Sequence, residues 1–244
     1  MDQEINNFLE GMQAFGLPVS EKQADMLDRY YQNLVEWNSF MNLTAITDRR
    51  EVYDKHFLDS LSLLKLLPAE KLSSQQKFRL IDVGTGAGFP GLPLAIFFPS
   101  LQVTLMDSLA KRIRFLEDTA AKLGLTNVTA VHARAEDLAR NPQYREQFDY
   151  CVSRAVANLS TLSEYCLPFV KEGGLFIAYK AEKAEQELES GKKAVAILGG
   201  EILDSCAFVL PGTEYHRTLV PVKKIKKTPK KYPRKAGIPN KEPL

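Results

Sequence analysis

Residues 81–95 read IDVGTGAGFPGLPLA, an apolar run that ends in an acid, breaks into glycines and resumes as a second apolar run. FRLIDV (78–83) has the character of a buried strand, and GLPLAIFF (91–98) that of a short helix closed by Pro99. In an open parallel sheet, such a strand–turn–helix places its turn beyond the strand C-terminus, where ligands bind. Glycines there permit positive φ and close approach of a ligand to the backbone, and the helix start offers free N–H groups. Two parses compete. Gly86, Gly88 and Gly91 make G-x-G-x-x-G, a dinucleotide pattern. Asp82, Gly84, Gly86 and Gly88 make D-x-G-x-G-x-G, whose leading carboxylate suits S-adenosylmethionine, a ligand with an ammonium and a sulfonium but no phosphate. Phe89-Pro90 would crowd a pyrophosphate, which weighs against the dinucleotide, and leaves Gly91 to pack helix on sheet.

Downstream, strand, turn and helix repeat. LQVTLMD (101–107) is a strand ending at Asp107, an acid placed for ribose hydroxyls in either parse. Residues 109–123 form a helix that Gly124 ends. NVTAVHA (127–133) leads into ARAED, setting Ala135 and Glu136 where an adenine would lie. FDYCVSRA (148–155) brings Ser153 and Arg154 to the same edge. Glu136 has a second reading as a helix cap, and Arg154 as half of an ion pair. A helix (159–170), a strand (173–180) and a helix (182–198) follow, then EILDSCAFVL (201–210) and RTLVPVKKI (217–225) as a closing antiparallel pair. The alternation predicts an α/β, Rossmann-like, mostly parallel doubly wound sheet.

Upstream, the pattern is helical. Apolar residues recur at helical spacing over 3–15, and Ser20 with Gln23 forms a capping box before the stripe Leu27, Tyr30, Tyr31, Leu34, Trp37, which reads as core. Asp48 with Glu51 caps a third helix carrying Val52, Phe57, Leu61, Leu64 and Leu67, and AEKLSSQQK (69–77) reads as a polar linker. The chain thus divides into an N-terminal helical subdomain (1–70), the sheet domain (71–225) and a basic tail (226–244).

The 244 residues are 45% apolar and 25% charged, ordinary for a globular protein. The start, MDQEINNFLEGM, lacks the basic and apolar regions of a secretory signal, and no apolar run reaches membrane-spanning length. A cytoplasmic monomer with no membrane association is expected. Cys151, Cys166 and Cys206 are too scattered for zinc or a disulfide framework, and His56, His132 and His216 form no cluster, so no metal is expected. The net charge of +2 hides an asymmetry. Residues 223–244 hold nine Lys or Arg against Glu242, a surplus of eight, which leaves the body at −6. An acidic body with a basic, proline-containing tail points to a polyanion, the alternative being a solvated tail that only aids solubility, and the tail is expected to be extended or partly ordered by its partner.

DVGTGAGFPG, DSLAKR, HARAE and SRAVA, with WNSFMNLTAIT and HFLDSL before the sheet and YPRKAGIPNKEPL at the end, together resemble the glucose-inhibited division protein B family, bacterial 16S rRNA (guanine-N7) methyltransferases. The resemblance runs from about Trp37 to the C-terminus. It implies a class I methyltransferase sheet that uses S-adenosylmethionine and acts on the guanine at position 527 of 16S rRNA, in a decoding-region loop of the small ribosomal subunit. By resemblance, Gly84 and Phe89 contact the cofactor, Asp107 holds the ribose, Ala135 and Glu136 the adenine region, and Arg154 the cofactor or the target.

N7 of guanine carries an in-plane lone pair and no proton, so its methylation needs alignment and dehydration rather than a general base. No catalytic dyad is visible, and Arg154 is the best candidate for positioning. The Asn/Asp-Pro-Pro-aromatic turn of exocyclic amine methylases is replaced by SRAV, and Cys151 lies inside a strand rather than after a proline. A target guanine must be unstacked to enter a pocket. Lys226, Lys227, Lys230, Lys231, Arg234 and Lys235 would track the RNA phosphates. A small-molecule S-adenosylmethionine-dependent methyltransferase, a nicotinamide oxidoreductase and a non-enzymatic RNA chaperone remain as alternatives, and the role of Lys180 stays open.

Overall fold

The computed structural model describes residues 5–154, 157–181 and 185–244. Eight strands form one sheet: β1 (Arg79–Val83), β2 (Gln102–Asp107), β3 (Val128–His132), β4 (Phe148–Ser153), β5 (Val170–Lys180), β6 (Gly200–Ile202), β7 (Cys206–Val209) and β8 (His216–Lys224). Their order is β3-β2-β1-β4-β5-β8-β6, with β7 also on β8. Strands β1 to β5 run parallel, and β8 pairs antiparallel with β5, from Leu175 opposite Lys223 to Lys180 opposite Thr218. The chain reverses direction across the sheet between β1 and β4. That switch point opens a crevice beyond the strand ends.

The predicted strands are present with small changes of boundary. The stretch 201–210 is two strands rather than one. β6 and β7 lie in succession along one edge of β8, separated by Leu203, Asp204 and Ser205. The start expected for the helix at 182 falls outside the described residues.

The helices are α1 (Asn6–Ala14), α2 (Glu21–Met41), α3 (Arg49–Val52), α4 (Asp59–Leu61), α5 (Ala69–Leu72), α6 (Gly91–Phe97), α7 (Ala110–Leu123), α8 (Ala135–Leu138), α9 (Leu159–Cys166), α10 (Glu185–Ile197) and α11 (Ile238–Lys241). Ser20 caps α2 with the reciprocal Gln23 bond, a device whose loss costs about 1 kcal/mol. The third predicted helix is not uniform. A π-helical turn, Tyr53–Leu58, links α3 to α4, and a 3-10 turn follows at Ser62–Lys65. π turns shift the side-chain phase of a helix and recur at functional sites. Segment 69–77 is only partly a linker, because α5 buries Leu72 fully.

The N-terminal helices share one apolar cluster with the sheet. Leu27, Tyr30, Leu34, Phe57 and Leu61 pack with Leu92, Leu105 and Leu116. The aromatic stripe of α2 divides accordingly: Tyr30 is buried, while Tyr31 and Trp37 pack partly against the cluster. Trp37 donates to Asp118 of α7 at 3.0 Å.

The C-terminal segment departs from the extended tail expected for it. It is ordered against the body. Lys224 is fully buried and donates to Leu167 O and Thr228 Oγ1. Arg145 bonds the carbonyls of Thr228 and Tyr232. Arg234 forks onto Glu164, a fully buried carboxylate. Composition hides this because the anchors are few and their partners lie far away in sequence.

Candidate active site

A cavity of about 740 Å³ opens at the switch point. Gly84, Gly86, Phe89, Asp107, Ala135, Glu136 and Arg154 all line it. Seven residues from four strand ends thus converge as their positions in the sequence suggested.

Gly84 and Gly86 have φ of +73° and +62°, and a Cβ on either would meet nothing within 4 Å. The space a side chain would fill is open cavity, so the backbone itself is the wall. Gly91 is different: a Cβ there would overlap Leu105 and crowd the Asp82 carboxylate. It is the point where α6 packs on the sheet, as expected. Gly88 lies off the cavity lining, and a Cβ there would strike Leu92 and the Tyr30 hydroxyl. That hydroxyl donates to Ala87 O, so α2 braces the turn from behind.

Asp82 also stands apart from its expected role. It is fully buried beneath the turn and does not line the cavity. Its Oδ2 accepts from Thr85 Oγ1 at 2.6 Å and from Gly91 N at 2.8 Å. Burial raises its carboxyl to about 6, against the opposing pull of these two hydrogen bonds. Through Oδ2, Asp82 ties the two ends of the glycine turn together, while its Oδ1 is buried with no hydrogen-bond partner among the described residues. Asp107 does face the cavity, and its oxygens accept from Gly86 N, Leu109 N and Arg112 Nη1 at 2.9–3.0 Å. Glu136 accepts from Gly237 N at 2.9 Å.

The opposite wall comes from the N-terminal helices. His56 stacks on Phe89 with ring centroids 4.5 Å apart, and Tyr30 stacks on Phe89 at 5.4 Å. His56 Nε2 lies 3.0 Å from Thr44 Oγ1. Burial, then the adjacent Arg154 charge, lowers the imidazole to about 3, so it is neutral near pH 7. Arg154 Nη1 donates to Asp59 Oδ2 at 2.7 Å, and its Cζ lies 5.1 Å from the Phe89 ring centre. Leu43, Thr44 and His56 complete this side, while Gly237 and Asn240 of the C-terminal segment close the other.

Leu43, Thr44, His56, Gly237 and Asn240 were not predicted. The strings WNSFMNLTAIT and HFLDSL contain three of them, but nothing in their spacing announces that they face the glycine turn. Ser153 donates to Val83 O and seals β4 to β1. Lys180 bonds Ala157 O at 2.8 Å and pairs with Glu187, a bridge from β5 to α10. Of the predicted RNA-contacting cations, Lys226, Lys227, Lys230, Lys231 and Lys235 are exposed, whereas Arg234 is committed to Glu164. Cys151 and Cys166 are buried, and burial pushes the Cys151 thiol well up, which suits no nucleophile. Among the described residues no group of His, Cys, Asp and Glu is placed to hold a metal, and no helix is long and apolar enough to cross a membrane.

The sheet order and the glycine-walled cavity at its switch point define the class I methyltransferase fold. Solved structures agree on the fold: a 16S rRNA (adenine(1408)-N(1))-methyltransferase from Catenulisporales acidiphilia matches at TM-score 0.54 and 16% identity, over 66% of this chain and 91% of that one. TYW2 of M. jannaschii in complex with AdoMet matches at TM-score 0.50 and 18% identity, over 64% and 74%. The family model of GidB, rRNA small subunit methyltransferase G, matches residues 23–213, and the chain belongs to that family. Relatives named ribosomal RNA small subunit methyltransferase G are 50% identical in Lachnoclostridium phytofermentans (98% of this chain, 97% of the relative). Those in Exiguobacterium sp. are 51% identical (98% and 98%) and in Geobacillus sp. 52% (94% and 94%).

Proposed function

We propose that the protein transfers a methyl group from S-adenosylmethionine to N7 of a guanine in 16S rRNA, the guanine at position 527. The observation that carries this is the cavity itself. Bare backbone at Gly84 and Gly86, the Asp107 carboxylate, and Ala135 with Glu136 form one continuous wall for an adenosine. When bound, the cofactor supplies a methyl on sulfonium sulfur: the N7 lone pair forms the new C–N bond, the C–S pair stays on sulfur, and no proton moves.

The protein's part is placement and dehydration. Gly84 and Gly86 let the ligand lie against the chain, and Asp107 presents its carboxylate to the ribose hydroxyls. Leu43, Phe89 and Leu162 keep the reacting region apolar, which strengthens the electrostatics of the site. No titrating base is needed at N7, which agrees with a His56 that stays neutral. The exposed lysines at 226, 227, 230, 231 and 235 belong to the same segment that supplies Gly237 and Asn240. The segment leaves β8 at the end of the sheet away from the cavity and returns to the cavity at Gly237, so Lys235 stands beside the wall and the other four lysines extend the basic surface away from it. The +8 segment therefore favours RNA over a small-molecule acceptor.

The test is incubation with labelled S-adenosylmethionine and 16S rRNA, free and in small-subunit particles, from a strain lacking the activity. Digestion should return the label as 7-methylguanosine. Label in another nucleoside, or on a metabolite alone, would overturn the proposal.

A further inference from the structure

The last turn of α2 ends at the lip of the cavity. Asn38 Oδ1 accepts from Leu43 N at 2.7 Å and from Thr44 N at 2.9 Å, so the two wall residues that follow α2 are tied back to the helix. α7 begins at the same lip. Ser108 and Arg112 line the cavity, and Lys111 Nζ donates to Met41 O at 3.0 Å. Phe40 stands at this junction and is 66% exposed. Its ring centre lies 5.5 Å from that of Trp37, and Trp37 lies 5.8 Å from buried Phe115. A row of rings thus leads from the core to solvent and ends on an uncovered face.

Single exposed apolar side chains are ordinary on a protein surface. Two features set Phe40 apart. It is the aromatic member of the exposed large apolar side chains among the described residues, and Leu109, just before α7, is exposed beside the same junction. The lip also carries uncommitted cations. Lys111, Arg114 and Arg134 are exposed, and none of them pairs with a carboxylate among the described residues. The nearby acids are already engaged: Asp107 by Arg112, and Glu36 and Asp118 by Lys122. A flat open ring among free cations suits single-stranded nucleic acid, whose bases stack on aromatic faces while cations take the phosphates. One ring and one leucine offer too little apolar surface for the core of a protein interface.

We propose that Phe40 stacks on the base of a nucleotide adjoining the target guanine and so holds the strand open at the cavity mouth. This rests on the RNA reading above. Drawing the target base out of its stack leaves its neighbour with a bare face, and unstacking costs free energy. Phe40 covers that face, with Lys111 and Arg114 facing the phosphates alongside. Phe40 is a positioning residue: it touches the substrate beside the reacting base and leaves the cofactor alone.

The experiment uses small-subunit particles reconstituted with 16S rRNA that carries natural bases, or an abasic nucleotide on one side or the other of the target guanine. Single-turnover kcat/KM is measured for the full-length wild type, Phe40→Ala, Phe40→Leu and Phe40→Trp, with cofactor Kd and thermal stability alongside. On natural RNA, Phe40→Ala should lower kcat/KM about 5- to 100-fold, the worth of one base stacked on a ring. Phe40→Leu should lose nearly as much, and Phe40→Trp should match the wild type. Cofactor Kd and stability should hold, because the side chain is exposed. With the abasic nucleotide on the stacked side, the wild type should fall to the level of Phe40→Ala, and Phe40→Ala should lose nothing further. A wild-type rate for Phe40→Ala on natural RNA would overturn the inference. So would a loss of the same size on the natural and both abasic RNAs, or full rescue by Leu, since each removes base stacking as the cause. Absence of 7-methylguanosine with the wild type would instead sink the functional reading, and this inference with it.

Discussion

The amide of Gly237 donates to Glu136 Oε1 at 2.9 Å, so the basic C-terminal segment is fastened to a residue of the cavity wall. Three residues earlier, Arg234 forks onto buried Glu164. The exposed lysines and this part of the cavity wall are therefore one piece of chain. Deleting residues 226–244 would remove both and uncover two carboxylates, so truncation cannot isolate the lysines. Replacing Lys226, Lys227, Lys230, Lys231 and Lys235 with Gln can, because all five are exposed. If they neutralise five phosphates, the log–log salt slope of RNA binding should lose roughly 3.5 units for single-stranded contacts. Cofactor affinity should hold. Filter binding across a salt series checks this, and an unaltered slope would remove the lysines from the RNA interface.

Arg234→Met removes the guanidinium from buried Glu164 and leaves it only the backbone amide of residue 234. Breaking such a pair costs about 3–5 kcal/mol. Denaturant unfolding should show that loss, and calorimetry should show weaker S-adenosylmethionine binding as Gly237 and Asn240 loosen. Wild-type stability would mean the segment is not an integral wall.

The glycines should separate by role. Gly91→Ala sets a methyl against Leu105 and Asp82, an overpacking cost of about 1–3 kcal/mol, with folded protein still binding cofactor. Gly86→Ala adds the strain of a positive φ, roughly 1–2 kcal/mol, and projects its methyl into the cavity. Its main effect should be on cofactor Kd. Equal effects on Kd from both would contradict the division.

How much of this was legible in the sequence depends on the reach of each signal. β1 and β4 announced themselves as apolar runs, and the Ser20–Gln23 cap acts over three residues, so both could be read locally. Gly84 at the cavity wall and Gly91 at the helix–sheet contact could be told apart because their places in a strand–turn–helix are distinct. Asp82 lies off the cavity lining: the pattern marks an acid before the glycines, but not that its Oδ2 turns to Thr85 and Gly91. The π turn at Tyr53–Leu58 leaves no mark in composition, so His56 stayed hidden. The ordering of 226–244 depends on Glu136, Glu146 and Glu164, which lie 70 to 101 residues away from their partners, where no local pattern reaches.

Buried Asp82 and half-buried His56 give opposite pH signatures. Asp82 is raised from 3.8 to about 6, so the folded state gains relative stability when it is protonated. Its contribution is present below pH 3.8 and lost as pH rises to about 6. His56 is lowered from 6.5 to about 3. Its contribution is present above pH 6.5 and lost as pH falls towards 3. The unfolding free energy of wild type minus Asp82→Asn should fall with rising pH between about 4 and 6. The same difference against His56→Gln should fall with decreasing pH below 6.5. Parallel pH curves for wild type and variant would show that neither group is buried as described.

The central claim is methyl transfer to guanine N7 in 16S rRNA. N7-methylguanine is open to reduction by borohydride, after which aniline cuts the chain. The protein should be incubated with S-adenosylmethionine and small-subunit rRNA from a strain lacking the activity, and the treated RNA mapped by primer extension. The account predicts one new, cofactor-dependent scission, at the guanine at position 527. Methyl incorporation without scission, or scission elsewhere, would contradict it.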